Sequence, residues 1–125
     1  MNVAKEKAIH FAVRIVNLQK YLIREFKEYT LSNQILRSGT SIGANISEAE
    51  SAISEKDFLS KIYIALKETS ETLYWLELLH RTNYLTDKQY LSLFSECMEI
   101  KRILTATTKT LTRKLNVKSA EKNII

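Results

Sequence analysis

No proline occurs in this chain, and its only two glycines, Gly39 and Gly43, stand four residues apart in a stretch that otherwise suits a helix. An all-β fold would lack the residues that usually make its tight turns, whereas an antiparallel helical bundle needs only three short loops. The expected fold is therefore all-α, an antiparallel up-and-down four-helix bundle. With 125 residues, 45% of them apolar, the chain can fill one core. That core is assigned to a single domain over residues 1–115, and residues 116–125 are expected to form a mobile basic tail.

A glycine inside a helix costs about 1 kcal/mol relative to alanine, so two of them need a compensating contact. Close approach by another helix supplies one. On a helical projection Gly39 and Gly43 fall beside Ile35, Ile42, Ile46 and Ile53, which marks Gly39, Gly43, Ile42 and Ile46 as helix-packing residues. Thr40, Ser41, Ala44, Ser47 and Ser51 line a different face made only of small side chains. A helix approached from two sides would be central to the bundle and is expected to take part in homo-oligomer assembly.

Taken in order, the first helix is predicted from Val3 to Phe26 with two apolar stripes, one of Ile9, Ala12, Val13, Val16 and Ile23 and one of Phe11, Ile15, Leu18 and Leu22. A monomeric bundle needs only one. Thr30 can cap the second helix, which is predicted to end near Ile53. Ser54 with Asp57 three residues later is a variant capping box for the third helix. Its expected stripe is Phe58, Leu59, Ile62, Leu66, Thr69, Leu73 and Leu76, with Ile64, Trp75, Leu78 and Leu79 on the far side. Asn83 suits the left-handed turn at its end, and Thr86 with Gln89 forms a second capping box. The last helix carries Tyr90, Leu93, Phe94, Cys97, Ile100, Leu104, Leu111 and Leu115 on its apolar face, and its threonine-rich end is expected to fray.

Charge is concentrated at the C-terminal end. The chain carries a net charge of +5, and residues 100–125 hold seven basic side chains against one acid, Glu121. Arg102, Lys109 and Arg113 share a narrow strip opposite the apolar face, and Lys114 and Lys118 extend it. These five are the candidate nucleic-acid-binding residues, able to neutralise RNA or DNA phosphates. Stacking aromatics are missing beside the strip, which argues against reading of unpaired bases. A protein-interaction scaffold, docking a protein partner on the oligomer, is the alternative.

Catalytic chemistry finds little to work with. Cys97 is the only cysteine and reads as a core residue. His10 and His80 have no sequence-adjacent acid at metal-ligand spacing, and neither a nucleophile elbow nor a phosphate loop occurs. No enzymatic activity, metal or cofactor is expected. Glu48 follows Arg37 by eleven residues, about 16 Å along a helix, so the two could pair only between subunits. Arg37, Ser41, Ala44, Glu48 and the off-stripe Trp75 are accordingly candidate subunit contacts. Without a leader-like start or the ~18 apolar residues of a membrane span, a cytoplasmic protein without membrane contact is expected.

The order Arg37, Ser41-Ile42, Asn45-Ile46, Glu48 within Leu36–Ala49 resembles the proteins encoded in intervening sequences of bacterial 23S ribosomal RNA genes, also called S23 ribosomal proteins. Phe58-Leu59 and Asn83-Tyr84-Leu85 extend the likeness over nearly the whole chain. Gly43 stands where that family commonly has proline, Ser47 where alanine is common and Ala49 where glycine is common. The resemblance implies a four-helix bundle assembling as a ring, commonly a pentamer, with no enzymatic activity. The fold also looks like that of the accessory variability protein of diversity-generating retroelements, a basic pentamer that binds nucleic acid and a reverse transcriptase.

Overall fold

A computed structural model describes residues 2–124, with nothing stated for the side chains of the first and last of these. Four helices follow in order: α1 (Asn2–Phe26), α2 (Thr30–Ala49), α3 (Glu55–Arg81) and α4 (Asp87–Ile124). The connections between them, 27–29, 50–54 and 82–86, are too short for anything but antiparallel neighbours. Successive helices pack together and α4 closes on α1, the slightest of the four packings. The backbones of α2 and α4 do not meet, so α2 is one corner of a square rather than its centre.

The chain ends each helix by a different device. Lys27, with φ of 53°, turns the chain at the end of α1, where Glu28 N–H donates to the Leu22 carbonyl at 3.2 Å. The Glu28 carboxylate then accepts from the amides of Leu31 and Ser32 at 3.0 and 2.9 Å. Thr30, expected as the cap, is instead the first residue of α2. A longer, charged side chain two positions earlier reaches both orphan amides and suits the positive helix end. α2 stops at Ala49, four residues before the predicted end, and Ile53 is 94% exposed instead of packing beside the glycines. The capping box explains this: Ser54 Oγ accepts from Asp57 N–H at 3.0 Å, and Asp57 accepts from Ile53 N–H at 3.1 Å, committing this segment to the start of α3. Asn83, with φ of 70°, closes α3 as Tyr84 N–H donates to the Leu79 carbonyl at 2.9 Å. Thr86 and Gln89 exchange their reciprocal bonds at 2.9 and 3.1 Å.

Inside the bundle, α1 contributes Ala4, Ala8, Phe11, Ile15, Leu18 and Leu22, one of the two expected stripes. The other faces outward: Ile9 and Val13 are more than half exposed, and Ala12, Val16 and Ile23 are half-buried. The buried seam of α3 is Ile62, Ala65, Thr69, Thr72, Leu76 and Leu79, alternating steps of three and four. Leu79 therefore belongs to the core, while Phe58, Leu59, Leu66 and Leu73 of the expected stripe are only half-buried. Ile62, Thr69 and Leu76 of the expected stripe are on the inner line, which Ala65 and Thr72 complete in place of the larger leucines. The hydroxyls of Thr72 and Ser38 lie 2.9 Å apart in the α2–α3 interface, which lets polar residues serve as small core residues.

α4 buries Leu93, Cys97, Ile100, Leu104 and Thr108, and its helix then continues to Ile124. The expected tail from Asn116 is thus helical, with the side chains of 116–123 exposed. Thr105, Thr107 and Thr108 return their hydroxyls to carbonyls three or four residues back at 2.8–2.9 Å, which keeps their polar groups satisfied within the helix.

Candidate nucleic-acid interface

The outward face of α4 is set by its inward one. With Leu93, Cys97, Ile100 and Leu104 buried, helical geometry turns Arg102, Lys109 and Arg113 directly away from the core. All three are exposed. No ion pair to any of them forms among the described residues, in contrast to Lys5, Lys7, Arg14, Arg37 and Lys61, each of which meets a carboxylate. Lys109 and Arg113 also line an open groove with Tyr63 and Val117.

Lys114 and Lys118, the other two candidates, are engaged differently. Their ammonium groups lie 3.2 and 3.0 Å from the two oxygens of Glu55, the first residue of α3. Lys118 and Lys114 together hold that carboxyl below the usual carboxylate range. Two of five candidate cations are therefore compensated inside the chain.

The candidate packing residues lie against α1. Ile42 and Ile46 are fully buried, Gly39 faces Ile15 and Gly43 faces Ala8. Among the candidate subunit contacts, Arg37 reaches Glu68 at 3.5 Å and also Glu71, which accepts from Trp75 Nε1 at 3.2 Å. Glu48 pairs with Lys61 at 3.4 Å. Arg37 and Glu48 thus both find α3 within their own chain. Ser41 returns its hydroxyl to the Arg37 carbonyl at 2.6 Å, and Ala44 is exposed.

Two histidine–acid pairs escaped the sequence reading because their acids come from α4. His10 Nδ1 lies 2.9 Å from Glu96, which also accepts from Arg14 at 2.5 Å. Partial burial works to raise the Glu96 pKa, but the bonds from His10 and Arg14 outweigh it and leave it below the ordinary value. Ser92, the hydroxyl beside this cluster, accepts from Arg14 Nη2 at 3.0 Å. His80 stacks on Tyr90 with centroids 4.3 Å apart and bonds Asp87 at 2.6 Å. Burial pushes the Cys97 thiol up to about 12, which suits a core residue donating weakly to the Thr69 carbonyl. No group of three metal-ligating side chains gathers among the described residues, and no helix among them is long and apolar enough to cross a membrane.

Comparison with known proteins identifies the bundle. A solved structure from Bacteroides thetaiotaomicron, a protein of unknown function from the S23 ribosomal protein family, is 57% identical, superposes with a TM-score of 0.84, and is matched over 85% of this chain and 98% of its own. No curated protein is significantly similar. The family model for the 23S rRNA-intervening sequence protein matches residues 2–106. Arg102 lies within that stretch, whereas Lys109, Arg113, Lys114 and Lys118 lie beyond it. On this match over most of its length, the chain belongs to the 23S rRNA-intervening sequence protein family.

Proposed function

We propose that the protein is a non-enzymatic, cytoplasmic homo-oligomer that binds RNA or DNA through the outward strip of α4. One observation carries the reading: Arg102, Lys109 and Arg113 are exposed in a line on one helix without carboxylate partners among the described residues. Unpaired cations in a row attract phosphates and release their counterions on binding. Assembly is supported by the outward Ile9 and Val13 of α1, an apolar stripe that a lone bundle leaves in water. A ring, with five subunits as the resemblance implies, would repeat the basic strip and multiply its affinity.

The test is a titration of labelled nucleic acid across a salt series. The native protein should bind with an affinity that falls steeply with salt, and replacing Arg102, Lys109 and Arg113 together by glutamine should remove most of that dependence. Unchanged affinity in the triple variant would take the strip out of the account. Light scattering on the same sample tests assembly, since a mass near the 14.5 kDa of one chain would refute it. Absence of binding to any nucleic acid would favour the outward stripe as a docking surface for a protein partner.

A further inference from the structure

The proposed binding leaves the form of the nucleic acid open, and the shape of α4 narrows it. Lys7 meets Glu99 at 2.7 Å near the start of α1, so the second half of α4 runs on past the first residue of α1. Farther along, Lys118 meets Glu55 at 3.0 Å, and Glu55 is where α3 begins. The side chains of 116–123 are exposed, and the helix continues to Ile124. α4, about 57 Å long at 1.5 Å per residue, therefore ends as a rod that projects from the bundle.

The outward face of α4 leading to this end is narrow and basic. Arg102, Lys109 and Arg113 follow one another at axial steps of about 10 and 6 Å. Ala106, Asn116 and Ala120 share their face, so side chains between the cations are short and a partner can approach the helix closely. Lys122 adds a cation on the projecting end, and Glu121 is the only acid from Ile100 onward.

Each form of nucleic acid demands a different surface. Single strands need a channel with a series of aromatic platforms. Here the groove that Lys109 and Arg113 line holds Tyr63 of α3, its hydroxyl 3.3 Å from Thr112, rather than a series of platforms. Double-stranded RNA has a major groove too narrow and deep for side chains to read. The major groove of B-form DNA, about 12 Å wide, admits an α-helix. A basic helix face turned outward, with short side chains between its cations, matches that groove.

We infer that the partner of this strip is duplex DNA, with the outward face of α4 seated in the major groove and Arg102 and Lys109 against the flanking phosphates. Arg113 and Asn116 then lie nearest the base edges, since arginine pairs with guanine and asparagine with adenine in that groove. This inference rests on the nucleic-acid reading of the same strip.

The experiment compares the whole protein on four labelled ligands of equal length: duplex DNA, duplex RNA, single-stranded DNA and single-stranded RNA, each over a salt series. Duplex DNA should bind at least tenfold more tightly than the other three. Methyl green, which occupies the major groove, should displace the protein, and netropsin, which occupies the minor groove, should not. The exposed double substitution Arg102→Gln with Lys109→Gln, checked for unchanged helicity, should lower the salt slope on duplex DNA by about 2. Binding without preference for duplex DNA, or displacement by netropsin alone, overturns this inference and leaves the nucleic-acid reading standing. Failure to bind any of the four at low salt overturns both.

Discussion

Gly39 of α2 lies directly beneath Ile15 of α1: a Cβ built on the glycine would stand 2.8 Å from Ile15 Cγ2 and 2.9 Å from Cγ1. Real Cβ atoms do not approach other carbons so closely, so the two helices meet at a distance that only a glycine permits here. Gly39→Ala gains helix propensity of about 1 kcal/mol but must displace a branched, fully buried side chain. A net loss of about 1–2 kcal/mol is expected in chemical denaturation. The loss should shrink in an Ile15→Ala background, where the obstructing atoms are gone.

Gly43 faces a more forgiving neighbour, with the nearest atom to its built Cβ being the Ala8 methyl at 3.4 Å. Gly43→Ala is expected to leave the melting temperature unchanged or raise it, whereas Gly43→Leu should drive into α1 at a cost of about 1–3 kcal/mol. If Gly43→Ala proved as harmful as Gly39→Ala, the packing difference between the two sites would be wrong.

Ser32 is a fully buried serine whose hydroxyl has no hydrogen-bond partner among the described residues. An unsatisfied buried hydroxyl is destabilising, and serine is also a poorer helix former than alanine. Ser32→Ala should raise stability by about 1 kcal/mol, read as a higher denaturant midpoint with an unchanged slope. A lower midpoint would reveal a partner for the hydroxyl.

Lys27 occupies the left-handed region at the end of α1, with φ of 53°. Glycine avoids the steric cost that a Cβ meets there. Lys27→Gly is expected to stabilise the fold by about 0.5–1 kcal/mol. Asn83, left-handed at the end of α3, tolerates that conformation better, and Asn83→Gly should change stability less.

Glu96 joins α4 to α1 through His10 and Arg14, and its pKa is lowered in the folded state. A carboxylate with a depressed folded pKa contributes stability that is present above its unfolded value and lost as pH falls through the folded one. Glu96→Gln should therefore cost about 1 kcal/mol at pH 7, a size suited to a partly buried charged pair. Denaturation curves for the two proteins should converge as the solution is acidified below about pH 4.5. A gap that persisted at low pH would point to lost packing rather than lost charge.

The helical class followed from missing turn formers, and the caps at Ser54, Thr86 and Asn83 were legible because they depend on a few adjacent residues whose backbone geometry is local. The direction of the α4 strip was legible for a similar reason, since a strongly apolar stripe on one side of a helix leaves little choice for the other. The α3 seam was legible only in part, at Ile62, Thr69 and Leu76. Ala65 and Thr72 also line it although larger residues lie alongside, because the space available is decided by how closely α2 approaches, a distance absent from any helical projection.

The same holds for the charges. Composition placed five candidate cations near the C-terminus, but it took the packing of α3 against α4 to bring Glu55 to Lys114 and Lys118 and leave Arg102, Lys109 and Arg113 without such a partner. Arg37 and Glu48, too far apart to pair on their own helix, found carboxylate and ammonium partners on α3, and His10 found its acid on α4. Periodicity and capping act within a few residues, so they can be read along the chain. Ion pairing and close packing act across space between residues separated by thirteen to eighty-six positions, so only the folded arrangement of the helices selects among the many partners that the sequence permits.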